Sequence, residues 1–368
     1  MRPFTILLAI GSSEIGGGQK VFSSCVSEFL SAGHEIIIIL PPGPLVDVLL
    51  KYNVRIHIVD LYSISGFFYI LKILKNNYID IINVHLTKCA FFISFINLFC
   101  RLPICITLHN EIIHAGLKRS QILIYPFFYK ILSLLCDGVI VVSEYTKQHL
   151  IKIGNIDPSK ITVIRNGINI NNNFISNNIN YLKNKKFLIG VIGRLSIEKG
   201  HIYLIHAIKS ISDLNLECWI VGDGPLRNEL EEKVAAIGMR GKIRFLGYQN
   251  DVHKLLNCFN VIVVPSLNES IPISIIEALA AKRPVIATSV GGIPELIVNN
   301  ITGLLVPPRN SEELANKIVY LHQNYQKAIK MGENGYCEVN KNYSSSMMAE
   351  NILSYYSVVI SNKNYKNY

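Results

Sequence analysis

Two glutamates stand eight positions apart in "ESIPISIIEAL", Glu269 and Glu277, and most residues between them are apolar. A carboxylate in such surroundings is costly unless hydrogen bonds or a cation hold it. The hydroxyls of a bound ligand would do so, as would structural hydrogen bonds to one loop acid and one helix acid. Ser270 reads as the cap, and Pro272 as a first-turn residue, of the helix that carries Glu277. That places Glu269 in the loop ahead of the helix and Glu277 on one face with Ile273 and Ser274.

Other residues with chemical potential also follow apolar runs. "FLIGVI" leads into Gly193-Arg194 and then Glu198-Lys199-Gly200. Arg194 and Lys199 flank a strand-to-helix turn, where two cations could clamp a diphosphate; a lone cation there would more simply be a solvated loop residue. "TILLAI" leads into "GSSEIGGGQK", whose Gly16, Gly17 and Gly18 directly precede a helix. Glycines there let a ligand approach the backbone, and the helix start offers free N–H groups to a phosphate. The spacing is not G-x-G-x-x-G, so a dinucleotide site is not specifically indicated. His109 follows "ICITL", and His85, a weaker candidate, ends "IDIINV". A histidine at a strand end is most often structural, and its place at the carboxyl edge of a sheet is what makes it interesting.

The elements that must position these residues are legible in the alternation of the chain. Short β-branched runs ("TILLAI", "EIIIIL", "VRIHIV", "IDIINVH", "ICITLH", "GVIVVS") alternate with helix-length segments such as Gln19 to Ser31 and Thr87 to Phe99. Continuous apolar strands between helices predict parallel sheets covered on both faces. Residues 166–180 hold eight asparagines, and the alternation then restarts with "FLIGVIG", "ECWIVGDG", "KIRFLG", "NVIVVPS", "PVIATS" and "GLLVPP". The expected organisation is a first α/β domain over residues 1–170, an Asn-rich linker over 171–186 and a second α/β domain over 187–342. A helix at 343–360 would pack back on the first domain, and 361–368 would form a tail. In open parallel sheets ligands bind beyond the carboxyl ends of the strands, where all the residues above lie.

Composition narrows the function classes. The 368 residues carry 36 Lys and Arg against 26 Asp and Glu, a formal charge of +10. The excess is split evenly, +5 in residues 1–170 and +5 in the remainder. No basic arm or tail of the kind that grips nucleic acid is present, so no nucleic-acid partner is expected. The eight cysteines contain no C-x-x-C pair and read as buried thiols of a reducing compartment. "MRPFTILLAI" reads as a first strand rather than an export signal, its apolar run being short and without a small-x-small cleavage site. No apolar run reaches the ~18 residues of a spanning helix. There is no Asp-x-Asp and no His/Asp cluster after a strand, so no metal ligand is assigned.

"PSLNESIPISIIEALAAKRPVIATSVGGIPELI" resembles the E-x7-E region of the retaining glycosyltransferases of family 4. "GGQKV", "TLHN", "VIRNGI", "GRLSIEKG", "VGDGPLRNELE", "FLGYQNDV" and "NITGLLVPP" agree in order and spacing. The resemblance covers nearly the whole chain. It is strongest over 187–310, and over 40–135 it holds only in pattern. It implies the GT-B architecture, two Rossmann-like parallel-sheet domains facing across a cleft. It also implies a retaining transfer from a nucleotide-sugar donor, with no cofactor and no metal, a UDP-sugar being favoured over a GDP-sugar.

By the same resemblance Glu269 contacts the transferred sugar and Glu277 binds the ribose hydroxyls, with Ser270, Ile271 and Pro272 in the donor loop between them. Arg194 and Lys199 hold the diphosphate, the amides of Gly17 and Gly18 approach the donor phosphate, and His109 lies near the reacting sugar. Three positions depart from the family pattern: Lys282 replaces a usual glycine, Asn110 replaces an aspartate that often follows the histidine, and Arg165 stands where proline often precedes Asn-Gly.

The expected acceptor is a glycan or a polyprenyl-linked glycan of cell-surface polysaccharide synthesis. The expected location is cytoplasmic, with peripheral contact to anionic membrane at its inner face as one option. Residues 118–136, with Lys118, Arg119, Lys130 and several aromatics but no acid, read either as an interfacial segment or as a core helix interrupted near Pro126. Competing functions are an inactive sugar-binding subunit and an epimerase or hydrolase of the same architecture. A nicotinamide oxidoreductase is weakened by the missing glycine fingerprint.

Overall fold

A computed structural model describes residues 2–109, 119–154, 156–170, 186–249 and 251–366, without the side chains of 119–125 and 364–366. The Asn-rich stretch 171–185, Asn110 and Lys118 lie outside the described residues. The chain divides into two units. The first comprises residues 1–113, 117–169 and 345–368, and the second 114–116 and 170–344.

The first unit opens with β1 (Thr5–Ile10), α1 (Gly17–Ser31), β2 (Glu35–Leu40), α2 (Pro44–Leu49) and β3 (Arg55–Ile58). It continues with α3 (Ile64–Asn76), β4 (Ile81–His85), α4 (Thr87–Asn97), β5 (Ile104–Leu108) and α5 (Arg119–Leu135). After these come β6 (Gly138–Val141), α6 (Glu144–Gly154) and β7 (Ile161–Val163). The strands form one parallel sheet in the order β3-β2-β1-β4-β5-β6-β7. The chain therefore runs one way from β1 to β3 and the other way from β4 to β7. Right-handed crossovers then place α1 and α2 on one face and α3 to α6 on the other. Every residue of β4, β5 and β6 is buried, as strands covered on both faces must be.

The second unit contains β8 (Phe187–Ile192), α7 (His201–Ser210), β9 (Leu216–Val221), α8 (Arg227–Ala236), β10 (Ile243–Gly247) and α9 (Val252–Leu256). β11 (Val261–Val264), α10 (Ile273–Ala280), β12 (Val285–Thr288), α11 (Ile293–Leu296), β13 (Leu304–Val306), α12 (Ser311–Gln323) and α13 (Tyr325–Asn342) complete it. Its parallel sheet has the order β10-β9-β8-β11-β12-β13. Its core gathers Ile189, Ile220, Val263 and Ile286 from the strands with Leu204, Ile208 and Ile318 from the helices.

The last helix, α14 (Ser345–Lys366), belongs to the first unit and packs on α1. It is fixed there by Ser345 Oγ donating to Glu28 at 2.5 Å and by the buried Tyr356. Its end differs from the sequence reading: residues 361–366, expected in a frayed tail, continue the helix, and Lys363 pairs with Asp137 at 2.9 Å. The cysteines differ too. All eight are free thiols, but Cys258 and Cys337 are exposed rather than buried.

Lys282, where the family pattern has glycine, adopts φ +56°. It follows the end of α10, with Lys282 N–H donating to the Leu279 carbonyl and Arg283 N–H to the Ala278 carbonyl, both at 2.9 Å. This left-handed helix stop normally selects glycine. Here a lysine accepts the strained conformation and lays its ammonium 4.9 Å from the centre of the Tyr336 ring.

Candidate active site

In an open parallel sheet the crevice for a ligand opens where neighbouring strands send their connections in opposite directions. In the second unit that point lies between β8 and β11, and in the first between β1 and β4. The candidate residues follow these strands or their neighbour: Gly17 and Gly18 open the helix after β1, Arg194 and Lys199 follow β8, Glu269 to Glu277 follow β11, and His109 follows β5, which lies beside β4.

Between β8 and β11 the loops are fitted to one another through glycine. Gly200 has φ +63°, and a Cβ there would stand 2.1 Å from the Pro265 carbonyl oxygen. Gly291 has φ +54°, and its Cβ would stand 1.6 Å from the Glu269 carbonyl oxygen. No other residue type fits either position without moving backbone. The same carbonyl of Glu269 accepts from Gly292 N–H at 3.2 Å, and the Glu198 carbonyl accepts from Leu267 N–H at 2.7 Å. The loop carrying Lys199 and the loop carrying Glu269 are thus one rigid assembly.

On this assembly Lys199 Nζ donates to Glu269 Oε1 at 2.5 Å, and Ser266 Oγ donates to the same oxygen at 2.9 Å. The Glu269 side chain is 9% exposed and that of Lys199 is 26% exposed. Arg194, on the same loop as Lys199, is exposed and makes no ion pair among the described residues. Beneath the pair lies a small cavity lined by Gly193, Lys199, His201, Ser266, Glu269 and Ser274. His201 is buried there with neither ring nitrogen hydrogen-bonded among the described residues. Burial pushes its pKa down to about 4, helped by Lys199 and opposed by Glu198.

Glu277 is 4% exposed within α10, among Ile275, Ile276, Ala278 and Leu279, and it has a polar or electrostatic partner in the protein. The start of α10 departs from the sequence reading. The helix begins at Ile273, Pro272 is its N-cap residue with φ −73° and ψ 120°, and no side chain caps it. Ser270 therefore does not cap the helix. Pro272 itself has an extended ψ, outside the helical range, so the first helical residue is Ile273. Ser270, Ile271 and Pro272 are all buried in the loop after β11.

At the switch point of the first unit, α1 begins at Gly17, with Gly16 as N-cap in extended geometry. Gly18 faces His109: a Cβ on it would meet His109 Cδ2 at 3.5 Å, an ordinary contact. His109 Nε2 lies 2.7 Å from His85 Nδ1, and the two rings stack with centroids 5.0 Å apart. One nitrogen of that contact must carry the proton and the other accept it, so the two tautomers are coupled. Burial pushes the His109 pKa down to about 4, with Asn166 working against the shift. Burial, and then His109, lower that of His85.

The structure thus brings Arg194, Lys199, Glu269, Ser270, Ile271, Pro272 and Glu277 together in one unit, and Gly17, Gly18 and His109 in the other. Ser266 and His201 were not singled out from the sequence. Ser266 lies inside "PSLNES", but nothing in that string tells which oxygen it serves. Among the described residues no group of three His, Cys, Asp or Glu could hold a metal ion.

Two parallel-sheet domains of this kind have the GT-B architecture of sugar-transferring proteins. The chain belongs to the glycosyltransferases: residues 15–172 match Glycosyltransferase Family 4 and residues 174–338 match Glycosyl transferases group 1. It is 30% identical over 306 residues to an uncharacterized glycosyltransferase of Methanocaldococcus jannaschii, covering 79% of this chain and 78% of that one. It is 28% identical over 261 residues to an Escherichia coli UDP-Gal:alpha-D-GlcNAc-diphosphoundecaprenol alpha-1,3-galactosyltransferase, covering 67% of each. A crystal structure of a glycosyltransferase from Rickettsia africae superposes with a TM-score of 0.84 at 26% identity, covering 98% of this chain and all of that one.

Proposed function

We propose that the chain is a retaining glycosyltransferase that moves a sugar from a nucleotide-sugar donor to a glycan or polyprenyl-linked acceptor in cell-surface polysaccharide synthesis. The observation that carries the proposal is the Lys199–Glu269 pair, held with Ser266 at the switch point of the second unit. An acid that already exchanges hydrogen bonds with an ammonium and a hydroxyl is equipped to exchange them with sugar hydroxyls. The ammonium is equipped to follow charge onto a departing diphosphate.

In this reading Arg194 and Lys199 neutralise the leaving diphosphate, the work a metal ion does in other transferases. Glu277 accepts from the ribose hydroxyls, and the loop of Ser270, Ile271 and Pro272 borders the donor. The amides of Gly17 and Gly18 at the start of α1 face a donor phosphate, where the helix dipole favours negative charge. His109, neutral because of its burial, lies beside the reacting sugar. The E. coli relative takes UDP-galactose and a diphosphoundecaprenol-linked acceptor, which favours a UDP-sugar and a lipid-linked acceptor here and brings the chain to a membrane surface.

The test is incubation with a panel of UDP- and GDP-sugars and a short-chain diphospholipid-linked acceptor. Nucleotide release and the anomeric configuration of the product, followed by NMR, are the readouts. Transfer with the donor's configuration kept, undiminished by EDTA, is expected. An inverted product would refute retention, and activity lost with EDTA and restored by Mn²⁺ would refute the role given to Arg194 and Lys199.

A further inference from the structure

We infer that the outer face of the adjacent helices α3, α4 and α5 is a docking surface for an anionic lipid bilayer. The inference rests on the lipid-linked acceptor proposed above, but its observations are separate from the donor site and extend well beyond the segment 118–136.

The first observation is apolar exposure concentrated in one place. Ten of the nineteen large hydrophobic side chains exposed among the described residues fall between Leu61 and Cys136. On α3 Phe68 is 63% exposed, just past the end of α4 Phe99 is 61% exposed, and on α5 Phe127 is 67% exposed. These helices lie side by side on the same face of the sheet. Partly buried rings join them. Phe67 contacts Phe68, Phe92 and Phe99 edge-on at centroid distances of 5.4 to 6.3 Å, and Phe91 stacks on Phe128 at 4.8 Å. An ordinary surface helix turns its polar stripe outward, but these turn rings and aliphatic groups outward.

The second observation is charge. None of α3, α4 and α5 contains an acid. Between Leu61 and Cys136 the only acids are Asp80 and Glu111, against seven Lys and Arg. Asp80 is buried and already paired with Arg2 at 2.7 Å, and Glu111 lies outside the described residues. Lys72, Lys75, Lys88, Arg101 and Lys130 are exposed among the apolar groups. Basic side chains around protruding aromatic rings match a bilayer with anionic headgroups: rings enter the interface and ammonium groups meet phosphates. A second copy of the chain is a poorer occupant, because a two-fold contact would set this acid-free basic face against itself. No helix among the described residues is long and apolar enough to cross a membrane, so the contact is peripheral.

The test is co-sedimentation of the full chain with phosphatidylcholine vesicles, with and without about a third phosphatidylglycerol, at low and high salt. Donor affinity is measured calorimetrically without vesicles in parallel. Binding should need the anionic lipid and weaken with salt. Each lysine near an anionic surface is worth about fivefold in partition, so Lys72→Gln, Lys75→Gln and Lys88→Gln combined should lose about a hundredfold. Phe68→Ser with Phe99→Ser should lose binding at every salt concentration. Both variants should keep the melting temperature and donor affinity of the parent, so loss of vesicle binding with intact donor binding separates this inference from the reading of the active site. No partition onto anionic vesicles would overturn it. So would unaltered partition of the triple Gln variant, or a dimer in sedimentation velocity that the Phe variants dissociate.

Discussion

Replacing Lys199 by methionine removes the ammonium and keeps most of the side-chain length, so the consequences can be read from the charge alone. The ammonium lies 2.5 Å from a Glu269 carboxylate that is 9% exposed. Breaking a fully buried ion pair costs about 3–5 kcal/mol, and an exposed pair is worth about 0–1. This pair lies between the two, and Ser266 keeps one hydrogen bond to the same oxygen, so about 2 kcal/mol is expected. For a unit of this size that lowers the melting temperature by about 4–8 °C. If the ammonium also follows charge onto the leaving diphosphate, kcat should fall by about 10²–10³-fold. Thermal unfolding without ligand and steady-state kinetics with the preferred donor measure the two effects separately. Adding Glu269→Gln to Lys199→Met should restore much of the stability, because the stranded charge is gone, and should restore none of the activity. A variant with raised KM and unchanged kcat would show that Lys199 binds ground and transition states equally, which refutes the assigned role.

Arg194→Ala should separate the same effects in the opposite way, since Arg194 is exposed and without an ion pair among the described residues. Its stability should stay within about 0.5 kcal/mol of the parent while kcat falls by about 10²-fold, and an active variant would remove Arg194 from the mechanism. Glu277→Ala should weaken donor binding by about 1–3 kcal/mol in calorimetric titration, with some loss of stability because the carboxylate has a partner in the protein. Unchanged affinity would end its ribose role. The buried His109 predicts a pH dependence: its pKa falls from 6.5 to about 4 on folding, so the unfolded chain binds more protons between these values. Stability should therefore fall as pH drops through that window, by about 2 kcal/mol at pH 5 from His109. The difference in urea midpoint between pH 7 and pH 5 should shrink in His109→Asn, and an equal difference in both proteins would refute it.

Much of this molecule was legible along the chain, because the information is local. A strand buried on both faces must be apolar throughout, so "TILLAI", "ICITLH" and "NVIVVPS" declared a covered parallel sheet before any pairing was known. Glycines before a helix, cations after a strand and acids in an apolar run are anomalies of short range. They pointed to the connections that follow strands, where Gly17, Lys199 and Glu269 are found. Even the helix stop at Lys282 left a trace, as a lysine in a position that usually holds glycine.

The tertiary structure decided which of these anomalies meet. Lys199 and Glu269 are 70 residues apart and touch because the chain leaves β8, crosses to β9 and β10, and returns to lay β11 beside β8. His85 and His109 touch because β5 pairs with β4. Crossover order is set by how whole helices pack on a sheet, and no window of sequence contains it. For the same reason Ser266, the buried His201 and the extension of α14 beyond residue 360 carried no readable sign. Their roles depend on what another part of the chain brings against them: an acid, a cavity wall, or the aspartate that holds Lys363.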